Sequence, residues 1–166
     1  MLKFARQTLT VLWLLVCIAS ARADEPTIDQ LLADFPRAEL TISTPDARQH
    51  RFQVWIATTD VHRAQGLMFV RALPPDAGML FVYSEPRTIS MWMKNTFIPL
   101  DMVFIKANGR VAQVVGNTTP HSLKSIVSKS DVVAVLELNA DTADRLGIRS
   151  GALVDRRLLQ AAASGP

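Results

Sequence analysis

Short apolar runs separated by turn residues constrain the fold of this chain more than any other feature. In Arg51–Ala57, the apolar residues Phe52, Val54 and Ile56 occupy every second position, which is typical of a half-buried strand. Strands do not alternate regularly with long helices, so a parallel α/β sheet is disfavoured. The pattern therefore predicts an α+β domain with a mainly antiparallel, curled or barrel-like sheet and two or three short helices.

The predicted elements are short and closely spaced. Asn108-Gly109 tolerates the positive φ of a tight turn and predicts a hairpin. Thr58-Thr59-Asp60 can cap a helix that ends near Gly66, and Asn139 is a candidate cap for a helix that Gly147 ends. The eight predicted strands are Glu39–Ser43, Arg51–Ala57, Met79–Tyr83, Thr88–Met93, Leu100–Lys106, Arg110–Val115, Val132–Leu138 and Ala152–Val154, with a turn at Ser84–Arg87 and a loop at Asn117–Ser130.

Four segments make up the predicted domain organisation. Residues 1–23 form a secretory leader, and residues 24–38 form a linker with one short helix that either docks or stays mobile. Residues 39–155 form a single globular domain. Residues 156–166 end in Ala-Ala-Ala-Ser-Gly-Pro and are predicted to be a flexible tail, because they offer little to bury.

The leader has the three parts of a signal peptide. Lys3 and Arg6 provide a basic start, Val11–Ala19 is an uncharged apolar run, and Ala21-Arg22-Ala23 provides small residues before a cleavage point. The rival interpretation is a retained anchor, but a membrane span needs roughly 20 apolar residues, more than this run provides. We expect cleavage after Ala23 and a bacterial-type export to the periplasm or the extracellular space, with no membrane attachment afterwards.

Charge and cysteine content exclude several classes of function for the cleaved protein. The leader carries Lys3, Arg6 and Arg22, so 15 of the 18 basic residues remain against 15 acidic residues. This balance predicts no nucleic-acid partner and no acidic-membrane partner. The one cysteine, Cys17, lies in the leader, which excludes disulfides and thiolate chemistry after cleavage. No familiar cofactor motif is present, so no cofactor and no metal are predicted.

Three blocks of sequence resemble a known family. They are HRAQGLMFVRALPPDAGMLFVY at His62–Tyr83, MWMKNTFIPLDMVFI at Met91–Ile105 and VLELNADTADRLGIRSGALV at Val135–Val154. In composition and order they are similar to the domain of unknown function 192 family, over roughly Glu39–Val154. The resemblance implies a small, mostly β, often exported bacterial protein and implies no activity, because a shared fold does not fix function.

One cluster of polar residues is the main candidate binding site. A cation, an amide, a hydroxyl and a carboxylate at the ends of two apolar strands could together bind a small polar ligand, and an indole could stack on it. These residues are Trp92, Lys94, Asn95, Thr96 and Asp101. The alternative is structural: the amide and hydroxyl shape a strand connection, while the charged pair is solvated and contributes about 0–1 kcal/mol.

Glu137 is the second candidate, because it interrupts an apolar strand. If buried, it would have a raised pKa or a cationic partner, for which Lys94 and Arg63 are the natural choices. If the strand lies at an edge, the carboxylate simply faces water. The side chain is therefore either a modest site residue or a structural one.

Methionines suggest a third possibility. Thioethers at Met91 and Met93, with His62 or His121, could bind Cu(I) in an exported protein. All the methionines after the leader lie inside apolar runs, however, where methionine usually fills the core. His121 lacks a serine in a Gly-x-Ser-x-Gly setting, so hydrolase chemistry has little support.

The sequence thus leaves the function open among three hypotheses. The leading one is a non-enzymatic domain that binds a small polar ligand or a protein partner near Trp92 and Lys94. The second is an enzyme that uses Asp101 or Glu137 as acid or base, and the third is Cu(I) binding.

Overall fold

A computed structural model describes residues 25–164, so the predicted leader lies outside the described residues. Nine strands and four helices are present in this range. The strands are β1 (Arg37–Ser43), β2 (Gln49–Ala57), β3 (Ala77–Arg87), β4 (Ser90–Met91), β5 (Leu100–Ile105), β6 (Val111–Val115), β7 (Ile126–Val127), β8 (Val132–Asn139) and β9 (Leu153–Val154). The helices are α1 (Ile28–Leu31), α2 (Asp60–Gln65), α3 (Thr142–Leu146) and α4 (Arg156–Ser164).

Seven of the strands form one curled sheet. Their order is β6-β5-β8-β3-β2-β1-β9, and β4 pairs with β7 in a separate two-stranded ribbon. Among the strands of residues 25–164, only the β2–β3 pair is parallel, and α2 lies in the connection between the two strands. The predicted α+β class with a mainly antiparallel, barrel-like sheet is confirmed.

The last strand nearly closes the barrel. β9 pairs with β1, and Leu153 also bridges to Arg110 at the start of β6. Val154 N–H donates to the Gly109 carbonyl at 2.9 Å. Gly109 has φ 80°, and a Cβ there would lie 2.7 Å from the Val154 carbonyl oxygen, so the close approach requires glycine.

Alternation along the strands separates two apolar cores. On β3, Leu80 and Val82 face the barrel interior, where Phe52, Val54 and Ile56 of β2 also pack, as their spacing predicts. Met79 and Phe81 face outward into a second core, covered by the helices and loops on that side. Because both faces of the central strands are buried, the barrel has an inner core and an outer core.

Several boundaries differ from the predicted ones. β3 continues through Ser84–Arg87, which was expected to be a turn, while the strand expected at Thr88–Met93 is reduced to β4. The hairpin at Asn108-Gly109 is confirmed, but its turn spans three residues, since Lys106 N–H donates to the Arg110 carbonyl. The expected loop Asn117–Ser130 contains the short strand β7.

Both chain ends of the described range dock onto the barrel. α1 begins with a capping box at Thr27, and Leu32 and Phe35 after it are buried in the outer core. The segment 156–166 was expected to be a flexible tail, yet Arg156–Ser164 form α4. Leu159 is 4% exposed and packs into the inner core, which explains why a helix is held there. Within residues 25–164, no helix combines the length and apolar character needed to cross a membrane.

Candidate functional site

A cleft opens on the outer face of the sheet, between α2 and the segment that follows β4. It encloses about 80 Å³ of free space. Its charged lining residues are Arg63, Lys94 and Glu137, and its polar lining includes Tyr83, Ser90 and Thr96. The volume suits a small ligand or the end of a larger one, because drug-sized pockets span roughly 300–1,000 Å³.

Glu137 is a buried acid in this cleft. It lies on β8, between Met79 of β3 and Met102 of β5, and is 4% exposed. Among the described residues its carboxyl has no hydrogen bond and no ion pair. Burial raises its pKa to about 8, so the carboxyl holds its proton at neutral pH. A buried group with a strongly raised pKa in a cleft is a candidate for function.

Lys94 supplies an available cation at the same cleft. Its ammonium lies 5.2 Å from the centre of the Trp92 ring, in a cation–π contact. In residues 25–164 no carboxylate pairs with it. Trp92 is 49% exposed at the rim, where its indole can contact a ligand. The predicted grouping of Trp92 and Lys94 is therefore present, with Glu137 at the same cleft.

Arg63 lines the cleft but already has partners. Its guanidinium donates to the Val82 carbonyl at 2.8 Å and to the Thr58 carbonyl, and it pairs with Asp60 at 2.6 Å. It also lies over the Tyr83 ring at 4.8 Å. The expected ion pair of Glu137 with Lys94 or Arg63 does not form in the described residues. Arg63 is engaged by carbonyls and by an exposed aspartate, and the Lys94 ammonium lies over Trp92.

Asn95 and Thr96 shape the cleft wall. Asn95 has φ 55°, and its carbonyl accepts a hydrogen bond from Phe69 N–H at 2.9 Å. The Asn95 amide contacts the Met68 sulfur at 3.8 Å. Thr96 is buried, and its carbonyl accepts from His121 N–H at 3.1 Å. Thr96 lines the cleft, whereas Asn95 holds the segment against the loop after α2.

Asp101 lies on the other face of the sheet. It is 1% exposed and pairs in register with Leu138, an inner-core residue. Its carboxylate accepts from the N–H groups of Asn117 at 3.0 Å, Asp141 at 3.2 Å and Ala143 at 2.8 Å. Asp101 thus caps α3 from a distance and does not share the Glu137 cleft.

The N-terminal cap of α3 therefore differs from the one that the sequence predicts. Asn139 was the candidate cap of α3, but it is the last residue of β8, and its amide donates to the carbonyls of Leu73 and Pro74. Asp141 occupies the cap position with φ 64° and makes no side-chain cap bond. Gly147 ends α3 as predicted, in the left-handed conformation.

The methionines mostly pack in the outer core. Met79, Met93 and Met102 are fully buried there, and the Met93 sulfur accepts from the Thr118 hydroxyl at 3.2 Å. Met91 lines the cleft beside Met68. The candidate copper partners lie in aromatic contacts: His62 stacks on Phe35, and His121 packs against Phe97. In the described part of the chain, no three His, Asp or Glu side chains are grouped to hold a metal ion.

Sequence reasoning named Arg63 and the helix end near Gly66 but did not place α2 along one side of the cleft. Gly66 ends α2 with φ 50°, and a Cβ there would lie 3.0 Å from the Phe81 ring, so glycine lets the helix end close against the sheet. Tyr83 and Ser90 were also overlooked as lining residues. Period-two alternation was a usable signal for Tyr83, because Tyr83 follows Met79 and Phe81 on the outer face of β3.

Comparisons with known proteins agree with this architecture. The sequence profile of the domain of unknown function 192 family, described as "Uncharacterized ACR", matches residues 41–156. No curated protein matches the chain. A structure from Sinorhizobium meliloti, provisionally described as a transcription regulator, is 41% identical with a TM-score of 0.72, covering 73% of this chain and 94% of its own. A protein of unknown function from Novosphingobium aromaticivorans is 34% identical with a TM-score of 0.69, covering 72% of this chain and 84% of its own.

Proposed function

The chain belongs to the domain of unknown function 192 family, and we propose that it is an exported binding protein that holds a small polar ligand in the Glu137 cleft. The observation that carries the proposal is the buried carboxyl of Glu137, which lines a cleft and has no partner among the described residues. A ligand that hydrogen-bonds to this carboxyl gains a contact that the described residues do not supply.

The rim of the cleft supports the same proposal. Lys94 offers a cation and Trp92 offers an exposed aromatic face, which are the two features that fix small polar ligands in clefts. Nucleic acid is a weaker candidate partner, despite the description of the S. meliloti structure as a regulator. After the leader, 15 basic residues balance 15 acidic ones, which leaves no excess of positive charge for a phosphate backbone.

A thermal-shift screen of the purified protein tests the proposal. A ligand at a hundred times its dissociation constant should add about 2.7 kcal/mol to the free energy of unfolding. We expect Lys94→Ala to lose the shift that a hit produces in the wild type. Lys106→Ala is the matched control, since Lys106 is an exposed lysine on the β5–β6 hairpin outside the cleft. Equal shifts in all three proteins would place the ligand elsewhere and overturn the proposal.

Export is the second part of the proposal and has its own test. The basic start, the apolar run and Ala21-Arg22-Ala23 support cleavage after Ala23. Mass spectrometry of protein recovered from a bacterial periplasm or culture medium should give a chain that begins at Asp24. Recovery of uncleaved protein in the cytoplasm alone would contradict export.

An acid–base enzyme is a second candidate, favoured by the raised pKa of Glu137. A carboxyl with a pKa of about 8 is suited to proton transfer near neutral pH. Asp101 is not suited to this role, because three backbone N–H groups occupy its carboxylate. Glu137→Gln separates the two functions. If Glu137 transfers protons, the wild type converts a ligand found in the screen and the variant does not. If the wild type leaves every such ligand chemically unchanged, the result supports binding without catalysis.

A further inference from the structure

The charged groups at the Glu137 cleft indicate the chemistry of its ligand. Among the described residues that line the cleft, two side chains are cationic, Arg63 and Lys94, and one is acidic, Glu137. Arg63 is engaged by two carbonyls and Asp60, which leaves Lys94 as the cation with no carboxylate partner among the described residues. Within residues 25–164, the cleft therefore offers no ionised carboxylate that a cationic ligand could pair with at neutral pH.

We infer, building on the proposed binding function, that the ligand is a small carboxylate: one of its oxygens accepts a hydrogen bond from the Glu137 carboxyl, and the Lys94 ammonium balances its charge. The cleft volume of about 80 Å³ fits a carboxylate group with a few further atoms. Phosphate fits less well, because proteins usually hold it with several cations or backbone N–H groups, and Lys94 is the one cleft cation without a carboxylate partner among the described residues.

The surroundings of Glu137 explain why a donated proton is available. Burial raises its pKa to about 8. The charged or titratable groups around it are Arg63 of α2 with its partner Asp60, Tyr83 of β3 and Lys94 after β4, while its neighbour on β5 is the apolar Met102. At pH 7 the carboxyl is a donor, and ionising it next to an anionic ligand would be unfavourable.

Matched probes test this inference on the purified protein. N-acetylglycine and N-acetylglycinamide have nearly the same size and differ in charge, ethylammonium has the opposite charge, and inorganic phosphate tests the other anion. The readout is the indole N–H signal of Trp92 in NMR spectra, assigned through Trp92→Phe. We expect N-acetylglycine to shift this signal, with binding at least about tenfold tighter than for the amide, ethylammonium or phosphate.

Two variants and a pH series complete the design. Lys94→Ala should weaken N-acetylglycine binding by about threefold to tenfold, and Lys106→Ala should leave it unchanged. Binding to the wild type should fall above pH 8, by about tenfold for each further pH unit, because Glu137 loses its proton. Glu137→Gln keeps a donor and cannot ionise, so it should bind at pH 7 within about threefold of the wild type and stay constant to pH 9.

The results that would contradict a carboxylate ligand differ from the results that would contradict ligand binding in the Glu137 cleft. Tighter binding of ethylammonium that Glu137→Gln abolishes would show a cationic ligand, and it would overturn the inference while keeping the binding cleft. Tighter binding of phosphate, or equal binding of the amide, would also overturn the carboxylate class alone. Trp92 shifts that are the same in Lys94→Ala and in the wild type for every probe would overturn both proposals.

Discussion

Two buried carboxyl groups on opposite faces of the sheet have opposite surroundings. Asp101 lies on the inner face and accepts three backbone hydrogen bonds that hold Asn117 and the start of α3. Glu137 lies on the neighbouring strand, one register position away, and faces the outer cleft with no partner in the described residues. Asp101 completes the fold, whereas Glu137 is the acid for which we propose a ligand. Burial of an acid therefore does not by itself identify a site, and the decisive observation is whether the protein satisfies it.

The largest expected effect comes from removing the satisfied acid. Asp101→Ala leaves three N–H groups without their acceptor and should lower the free energy of unfolding by about 3–5 kcal/mol, measured by urea denaturation. Asp101→Asn keeps one acceptor oxygen, so its free energy of unfolding should fall by less than that of Asp101→Ala. A loss below about 1 kcal/mol in Asp101→Ala would show that the capping bonds do not stabilise the fold.

Packing at the barrel end should give the next largest effect. Leu159 of α4 is buried in the inner core, so Leu159→Ala should cost about 2–4 kcal/mol in the same urea measurement. Leu153→Ala is the control, because Leu153 is 42% exposed. Equal, small losses in both variants would mean that α4 does not hold the barrel end.

The unsatisfied acid should make stability depend on pH. The pKa of Glu137 is about 8 in the folded protein and 4.5 in the ordinary, exposed state. Between these values the folded protein keeps a proton that the unfolded chain loses, so wild-type stability should fall as pH rises from 4.5 to 8.

Glu137→Gln removes this dependence, which sharpens the contrast with Asp101. The free energy of unfolding of the variant should equal that of the wild type near pH 4. At pH 9 it should be higher than that of the wild type by about 2 kcal/mol. Urea denaturation at both pH values is the measurement. A variant less stable than the wild type at pH 9 would mean that the ionised carboxylate has a stabilising partner.

The smallest effect on stability is expected at the cleft rim. Trp92 is half exposed, so Trp92→Ala should change the free energy of unfolding by at most about 1 kcal/mol. The same variant should clearly weaken binding of any ligand that Lys94→Ala also weakens, as measured by thermal shift. A large loss of stability with unchanged binding would assign the indole to the fold.

The strands were predictable from the sequence because alternation and turn residues act locally. The period of Phe52, Val54 and Ile56 and the turn at Asn108-Gly109 are encoded in a few consecutive residues. Closure by β9 was not predictable, since it depends on pairing between distant segments. The docking of α4 depends in the same way on a distant core that Leu159 completes.

The candidate site was predictable only where its residues are close together in the sequence. Trp92, Lys94 and Thr96 lie at the cleft, and Glu137 joins them there. Asp101 was grouped with them because all of these residues lie at the ends of two apolar strands, but strand alternation places Asp101 beside Val103 on the inner face. Apart from Asp101 itself, both faces of β5 are apolar, so the sequence gives no sign of which face is the interior. The partners of Asp101 come from residues far along the chain.

The position of β9 near the C-terminal end has a consequence for when the protein can fold. β9 supplies backbone hydrogen bonds to both β1 and the β5–β6 hairpin, which are otherwise separate edges of the sheet. A nascent chain that lacks Leu153–Val154 has both edges open. Because β9 follows every other strand of the sheet in the described chain, closure of the barrel waits until synthesis has delivered Leu153–Val154.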